Sequence, residues 1–373
     1  MVRISMRKIT LLLPFFLLSS FHTYGDVTLG IAMPFTGSNA IYGIQVKNGA
    51  QSAADMINKT GGILGQQIQV ASADDASDPK QGVAVANKLN LQGVRFVIGG
   101  YASSVALPAS TVYEEGGAIF MSNATHVQFT ERGLWNVFRL LGRDEQQALV
   151  AAQYIGTHFK EKRIAIVHDR TAYGKGLADE VAKSLKNQGI AIELLETINP
   201  GEKDYSALVS RLKRASADIL FFGGYQGEAA LIIRQMRDQG LQTILMGGDT
   251  LISKDFPAAT GPTIEGTLIT FTRDPSTNPA AEDVIKHLRE AGIAPEANVL
   301  YAYAAVQILK NAAEQVGSLD TRKIAHLLHS GEVFDTVVGP LSYDTKGDLK
   351  DPLFIVYRWS KDPVTGNFTY QPA

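Results

Sequence analysis

The sequence predicts an α/β protein made of two doubly wound, Rossmann-like lobes. Three observations carry this. Short runs that are apolar on both faces recur along the chain, as strands buried in parallel sheets require. Stretches with helical spacing of apolar residues separate them, which is the βαβ beat. With 373 residues, the chain is long enough for two domains, and the strands are too many for one compact sheet.

The elements follow in order. Val27 to Met33 is the first strand, and Tyr42 to Lys59 an amphipathic helix stopped by Gly61 and Gly62. Gln67 to Ser72 is a strand. Asp78-Pro79 then opens a helix through Gln92, because Asp78 can cap free N–H groups and Pro79 loses nothing at the first helical position. Arg95 to Gly99 reads as strand, Ser103 to Glu115 as helix and Ala118 to Ser122 as strand. Further strands are expected at Arg163 to His168, Ile192 to Glu196, Ile219 to Phe222, Thr243 to Met246 and Thr267 to Phe271. Helices are expected at Leu177 to Gln188, Tyr205 to Ala215, Gly227 to Gln239 and Asn298 to Gln315. Arg143-Asp144-Glu145 and Thr272 to Pro279 read as crossing points between lobes. Gly339 to Trp359 reads as antiparallel strands joined by the turn Asp344 to Gly347.

Composition narrows the function. The absence of cysteine excludes disulfides, thiolate zinc sites and cysteine nucleophiles. Apolar content of 45% and charged content of 19% exclude bulk disorder. A formal charge of −2 without an arginine-rich stripe argues against nucleic acid. Arg3, Arg7 and Lys8 precede an apolar run from Ile9 to Phe21, and Gly25 stands before Asp26. This is the layout of a secretory signal peptide over residues 1–25, cut near Gly25-Asp26, rather than of a buried helix. Cleavage leaves 32 basic against 37 acidic side chains, so the exported chain is expected to carry −5. No later segment has 18 unbroken apolar residues, so no membrane span is expected.

Ligands of open α/β sheets sit beyond the carboxyl ends of strands. Tyr101, Ala102 and Ser103 stand there after the strand at 95–99. Ser103 could be an ordinary N-cap or, with the free N–H groups of a helix start, an anion site. Asn123 and Thr125 follow the next strand and could take an ammonium group or close a turn. Asp249 follows the strand at 243–246 and could pair with a cation or cap a helix. Tyr42, Tyr173 and Tyr225 follow other strands, as pocket walls or as packing. One anion clamp, one cation clamp and three aromatic walls suit a zwitterionic amino acid better than a phosphate or a metal.

Catalytic patterns are weak. There is no G-x-S-x-G, Walker A or H-E-x-x-H. Gly174-Lys-Gly176 is half a dinucleotide fingerprint. His326 and His329 read as surface histidines, and Asp74, Asp75 and Asp78 lack calcium-loop spacing. No enzyme activity, cofactor or metal is expected.

The order and spacing of several segments resemble the periplasmic leucine/isoleucine/valine-binding proteins of branched-chain amino acid ABC transporters. They are Asp74 to Gln81 with Val85-Ala-Asn-Lys88, Arg163 to Asp169 with Tyr173-Gly174 and Gly176-Leu-Ala178, Gly201 to Asp204, Gly223-Gly224-Tyr225, and Val338 to Leu341 with Lys346 to Lys350. The resemblance spans the mature chain. It implies a type I periplasmic binding fold whose lobes close over ligand about a three-stranded hinge. The lobes would be 26–144 with 273–353, and 145–272 with 354–373, hinged near Asp144, Thr272 and Phe354.

The resemblance further implies that Ser103 binds an α-carboxylate and that Thr125 contacts both carboxylate and ammonium. The Asn123 carbonyl and Asp249 would take the ammonium, with Tyr42, Tyr173 and Tyr225 around the ligand. Ser77 and Ala102 stand where relatives carry a disulfide. Tyr101 replaces an aliphatic residue and Asn298 an aromatic one beside the ligand side chain, so polar, aromatic or small amino acids and related amides join the candidate ligands. The implied partners are a free amino acid and an inner-membrane permease, with the protein a periplasmic monomer. A clamshell sensor that signals to a receptor is the alternative.

Overall fold

The computed structural model describes residues 25–373; the leader read over 1–25 lies, apart from Gly25, outside them. The first half of the chain runs β1 (Val27–Met33), α1 (Ala40–Lys59), β2 (Ile68–Asp74), α2 (Pro79–Leu91), β3 (Phe96–Gly99), α3 (Ser103–Glu115), β4 (Ile119–Ser122), α4 (Gln128–Glu131), β5 (Val137–Arg139) and α5 (Asp144–His158). It continues with β6 (Ile164–His168), α6 (Ala172–Asn187), β7 (Leu194–Thr197), α7 (Ser206–Arg214), β8 (Ile219–Gly223), α8 (Gln226–Asp238), β9 (Ile244–Gly247), α9 (Phe256–Thr260) and β10 (Leu268–Thr272). The chain closes with α10 (Glu282–Glu290), α11 (Ala297–Val316), α12 (Thr321–His329), β11 (Phe334–Thr336), β12 (Gly339–Leu341), β13 (Phe354–Lys361) and β14 (Phe368–Pro372).

Two parallel sheets organise the molecule. The first has the order β2-β1-β3-β4-β5. The second has the order β14-β13-β10-β9-β8-β6-β7, with β13 and β14 antiparallel at one edge. Strands β3, β4, β6 and β8 are buried along their whole length, because helices cover both faces. Strand order reverses between β1 and β3 in one sheet and between β6 and β8 in the other. Each reversal opens a crevice at the carboxyl ends of the strands. No helix among the described residues is long and apolar enough to cross a membrane.

The chain passes between the sheets three times. After β5 it leaves the first sheet, and α5 packs on α6 and β13. After β10 it returns, and α11 packs along α1. After β12 it crosses again to form β13 and β14.

Helices α1 and α11 meet closely because Gly49 has no side chain. A Cβ there would lie 2.0 Å from the Val299 carbonyl oxygen. Gly49→Ala should therefore destabilise the fold by about 1–3 kcal/mol, as other overpacked interfaces do. Urea unfolding measures it, and an unchanged midpoint would show that the two helices can part at no cost.

Two readings need correction. The turn Asp344 to Gly347 does not join two long antiparallel strands. It closes only the isolated bridge between Tyr343 and Leu349. β12 pairs with β11, and β13 lies between β10 and β14 in the second sheet. The turn is held on β5 instead, where Arg139 N donates to the Gly347 carbonyl at 2.9 Å and the Arg139 guanidinium takes Asp348. The helix expected from Leu177 starts earlier, at Ala172, because the Thr171 hydroxyl caps it by accepting from Gly174 N.

Candidate functional site

The site lies where the carboxyl ends of the two sheets face each other. From the first sheet, the loop after β3 turns sharply at Gly100, whose φ of +67° favours glycine. Gly100 N donates to the Ala32 carbonyl at 2.9 Å, which ties the loop to the end of β1. Tyr101, Ala102 and Ser103 follow, all buried. The N-cap of α3 is Ala102, so Ser103 is not an N-cap. The Ser103 hydroxyl is buried without a hydrogen-bond partner, at a helix start whose first N–H groups have no intrahelical acceptor. That combination suits an anion.

Asn123 and Thr125 stand beyond β4 on a loop held from beneath by Arg139. The guanidinium donates to the carbonyls of Ala124 and His126, to the Thr130 hydroxyl at 2.9 Å and to Asp348 at 2.7 Å. The Asn123 amide donates to Asn298 at 3.2 Å, and Asn298 donates to Gln45 on α1 at 3.0 Å. This chain of three amides leaves Asn123 Oδ1 and Gln45 Nε2 without partners.

The second sheet supplies Tyr173 on the first turn of α6, Tyr225 at the N-cap of α8 and Asp249 just after β9. Asp249 caps nothing with its side chain. Its Oδ1 accepts from the Tyr173 hydroxyl and from Gln147 Nε2, both at 2.9 Å. Gln147 Oε1 in turn accepts from Asp249 N at 2.9 Å and from Thr270 at 2.8 Å. Burial pushes the Asp249 carboxyl above the usual range, and the Gln147 and Tyr173 hydrogen bonds pull it partly back.

The two halves touch through aromatic rings. Tyr42 stacks on Tyr101 at 4.3 Å and 13° between planes. Tyr101 meets Tyr225 at 5.9 Å, and Tyr225 meets Tyr173 at 5.4 Å. The Tyr42 hydroxyl reaches across to the Thr250 carbonyl at 2.5 Å and to the Gln226 amide at 3.1 Å. Burial keeps all four phenols protonated, with their pKa raised. Among the described residues the Tyr225 hydroxyl has no partner.

Of the ten expected positions, contacts join Tyr42, Tyr101, Tyr173, Tyr225 and Asp249 across the two sheets and Asn123 to Asn298, while Ala102, Ser103 and Thr125 are buried just beyond β3 and β4. Four contributors were not foreseen as site residues: Gln45, Arg139, Asp144 and Gln147. Asp144 follows β5 as the other candidates follow their strands, so the strand-end rule could have found it. Ser77 accepts from Asn39 at 3.1 Å. His329 is half-buried rather than a surface group, with Nε2 2.9 Å from the Trp135 carbonyl, while His326 is exposed. Among the described residues no cluster could hold a metal ion.

Comparison with known proteins shows the family and the fold. A family described as periplasmic binding protein matches residues 26–362. Leu/Ile/Val-binding protein homolog 1 of Brucella melitensis is 49% identical over 348 residues, covering 93% of this chain and 94% of its own. Leu/Ile/Val-binding protein BraC3 of Rhizobium johnstonii is 43% identical over 343 residues, covering 91% and 94%. Among solved structures, the leucine binding protein LivK of Thermotoga maritima superposes with a TM-score of 0.83 at 24% identity, covering 92% of this chain and 97% of that one. A substrate-binding protein of Desulfitobacterium hafniense in complex with Leu gives 0.76 at 25% identity, covering 93% and 100%.

Proposed function

The chain belongs to the periplasmic binding protein family, and from that premise we propose that it binds one free amino acid between two closing lobes for delivery to a membrane permease. The observation that carries this is the pairing of complementary sites across one interface. A buried, unpartnered serine starts a helix after β3, a buried carboxylate follows β9, and the Tyr101–Tyr225 contact joins the two strand ends. A zwitterion satisfies both at once. We assign the lobes as 26–144 with 273–353, and 145–272 with 354–373, moving about the three passages between the sheets.

Ser103 and Thr125 would take the α-carboxylate, and Asp249 the ammonium with help from the Asn123 carbonyl. Closure would bring Tyr173, Tyr225 and Asp249 over the ligand and exclude water. Charge-assisted hydrogen bonds contribute most in such a dry site. Tyr101 stacked on Tyr42, and the free ends of the amide chain, favour a short or polar side chain over a branched butyl group. The chain would act as an exported monomer, processed near Gly25-Asp26, with no reaction catalysed.

A thermal-shift screen over the standard amino acids and small amides tests the reading. A ligand at 100 times its dissociation constant adds about 2.7 kcal/mol of stability. Serine, alanine or asparagine should raise the midpoint more than leucine does. A panel without any stabiliser would overturn the proposal.

A further inference from the structure

Among the described residues, Asp144 has neither carboxylate oxygen in a well-formed hydrogen bond, although the Thr125 side chain lies close enough to stabilise its charged form. It is 1% exposed. A carboxyl buried in this way either keeps its proton or takes a cation beside it, and the ammonium group of a ligand would supply that cation.

Its place is set from both sides. Asp144 N donates to the Thr125 carbonyl at 2.9 Å. Three residues on, and so on the same face of α5, Gln147 holds Asp249. Asp144 thus stands between the carboxylate end and the ammonium end of the clamp. We propose that Asp144 is a second ligand-binding carboxylate that shares the ammonium group of the bound amino acid with Asp249. This rests on the reading of the interface as an amino-acid clamp.

The groups around Asp144 determine its charge. Asp249 faces it from the turn after β9, Tyr173 from α6, Tyr225 from α8, Arg139 from β5 and Glu145 from its own helix. Arg139 is committed to Asp348, and the adjacent Arg143 to Glu131, Glu145 and Asp348. His126 lies on the loop beside it and is held neutral, first by burial and then by Arg139. Burial and the Asp249 charge push Asp144 up to about 8, against an opposing pull from Thr125 and Arg139.

In the empty site near neutral pH, Asp144 therefore keeps its proton. When an ammonium group enters, the Asp144 O–H breaks, the proton leaves to solvent and the carboxylate accepts from the ligand N–H. No other bond changes. Up to one proton is released per ligand, and affinity rises with pH until about 8, where free Asp144 is already ionised.

The test is calorimetric titration at pH 7 in phosphate and in Tris, buffers of different ionisation enthalpy. The titrant is whichever standard L-amino acid stabilises the protein most in the thermal screen. The expected result is net proton release in the wild type and none in Asp144→Asn. The variant should bind about tenfold more weakly at pH 8, the loss of one charged hydrogen bond, with a smaller gap at pH 6. A purely structural role would not give that pH profile. Zero proton release in the wild type overturns the assignment without any variant, so it stays testable even if Asp144→Asn fails to fold. If an amino acid binds with no proton released, or if Asp144→Asn binds it equally, only the assignment of Asp144 falls. If no amino acid binds, the clamp reading falls and Asp144 with it.

Discussion

Asp249→Asn lowers amino-acid affinity by roughly 10- to 150-fold, the equivalent of about 1.5–3 kcal/mol for a hydrogen bond to a charged group. The asparagine is the sharper probe than alanine. It keeps an oxygen to accept from Gln147 and Tyr173, whose bonds to Asp249 are both 2.9 Å. Only the charge is lost. Asp249→Ala removes the acceptor as well and should bind more weakly still, by at least tenfold relative to wild type. Both variants should unfold with wild-type cooperativity, because Asp249 lies at the interface and not in the sheet core. Calorimetry measures the affinities. Wild-type affinity in the asparagine variant would remove Asp249 from the ammonium site.

Asp348→Ala destabilises the whole protein by about 3–5 kcal/mol, as expected when one partner of a buried ion pair is removed. Arg139 is 0% exposed, so its charge cannot turn to water. It would keep the carbonyls of Ala124 and His126 and the Thr130 hydroxyl, but no carboxylate. Arg139→Met is expected to cost less, because Asp348 retains Arg143 at 2.8 Å. Urea unfolding ranks the two, and the reverse order would mean that the loop contacts of Arg139 outweigh its charge pair.

The same pair gives a pH dependence. Burial alone would raise Asp348, but the Arg139 charge, its hydrogen bond and Arg143 outweigh burial and hold it below the usual range. Its stabilisation is therefore present above the ordinary carboxylate pKa and is lost as pH falls through the lowered value. Asp144 acts with the opposite sign. Its raised pKa makes the ligand-free fold lose stability as pH rises from about 4 towards 8.

Much of the fold was legible from local pattern. Strands such as Ile219 to Phe222 are apolar throughout, and helices such as Ser103 to Glu115 keep a 3.6-residue period. Two elements lack such a signal, whereas the short helices α10 and α12 carry it and lie outside the expected ones. β5 has only three residues, and the charged start of α5, Asp144 to Gln147, reads as a loop. The C-terminal segments were misjoined because the turn at Asp344 looks like a hairpin turn. Its partner is β5, some 200 residues earlier in the chain.

The candidate site divides the same way. The rule that ligands meet strand carboxyl ends selected Tyr42, Ser103, Asn123, Thr125, Tyr173, Tyr225 and Asp249 from sequence alone. It could not say which polar groups are satisfied. Ser103 would be a cap if its hydroxyl accepted from a backbone N–H of the following turn, and Asp249 if its carboxylate did. The sequence by itself determined the α/β alternation, the loops that face the cleft and the residue types in them, because these follow from periodicities of two to four residues. Only the tertiary structure decided that Arg139 pairs with Asp348, that Gln147 holds Asp249 and that neither Asp144 oxygen makes a well-formed hydrogen bond. Those outcomes depend on contacts between residues about 100 to 200 apart in the chain, and burial sets the energy of a charge only after such contacts exist.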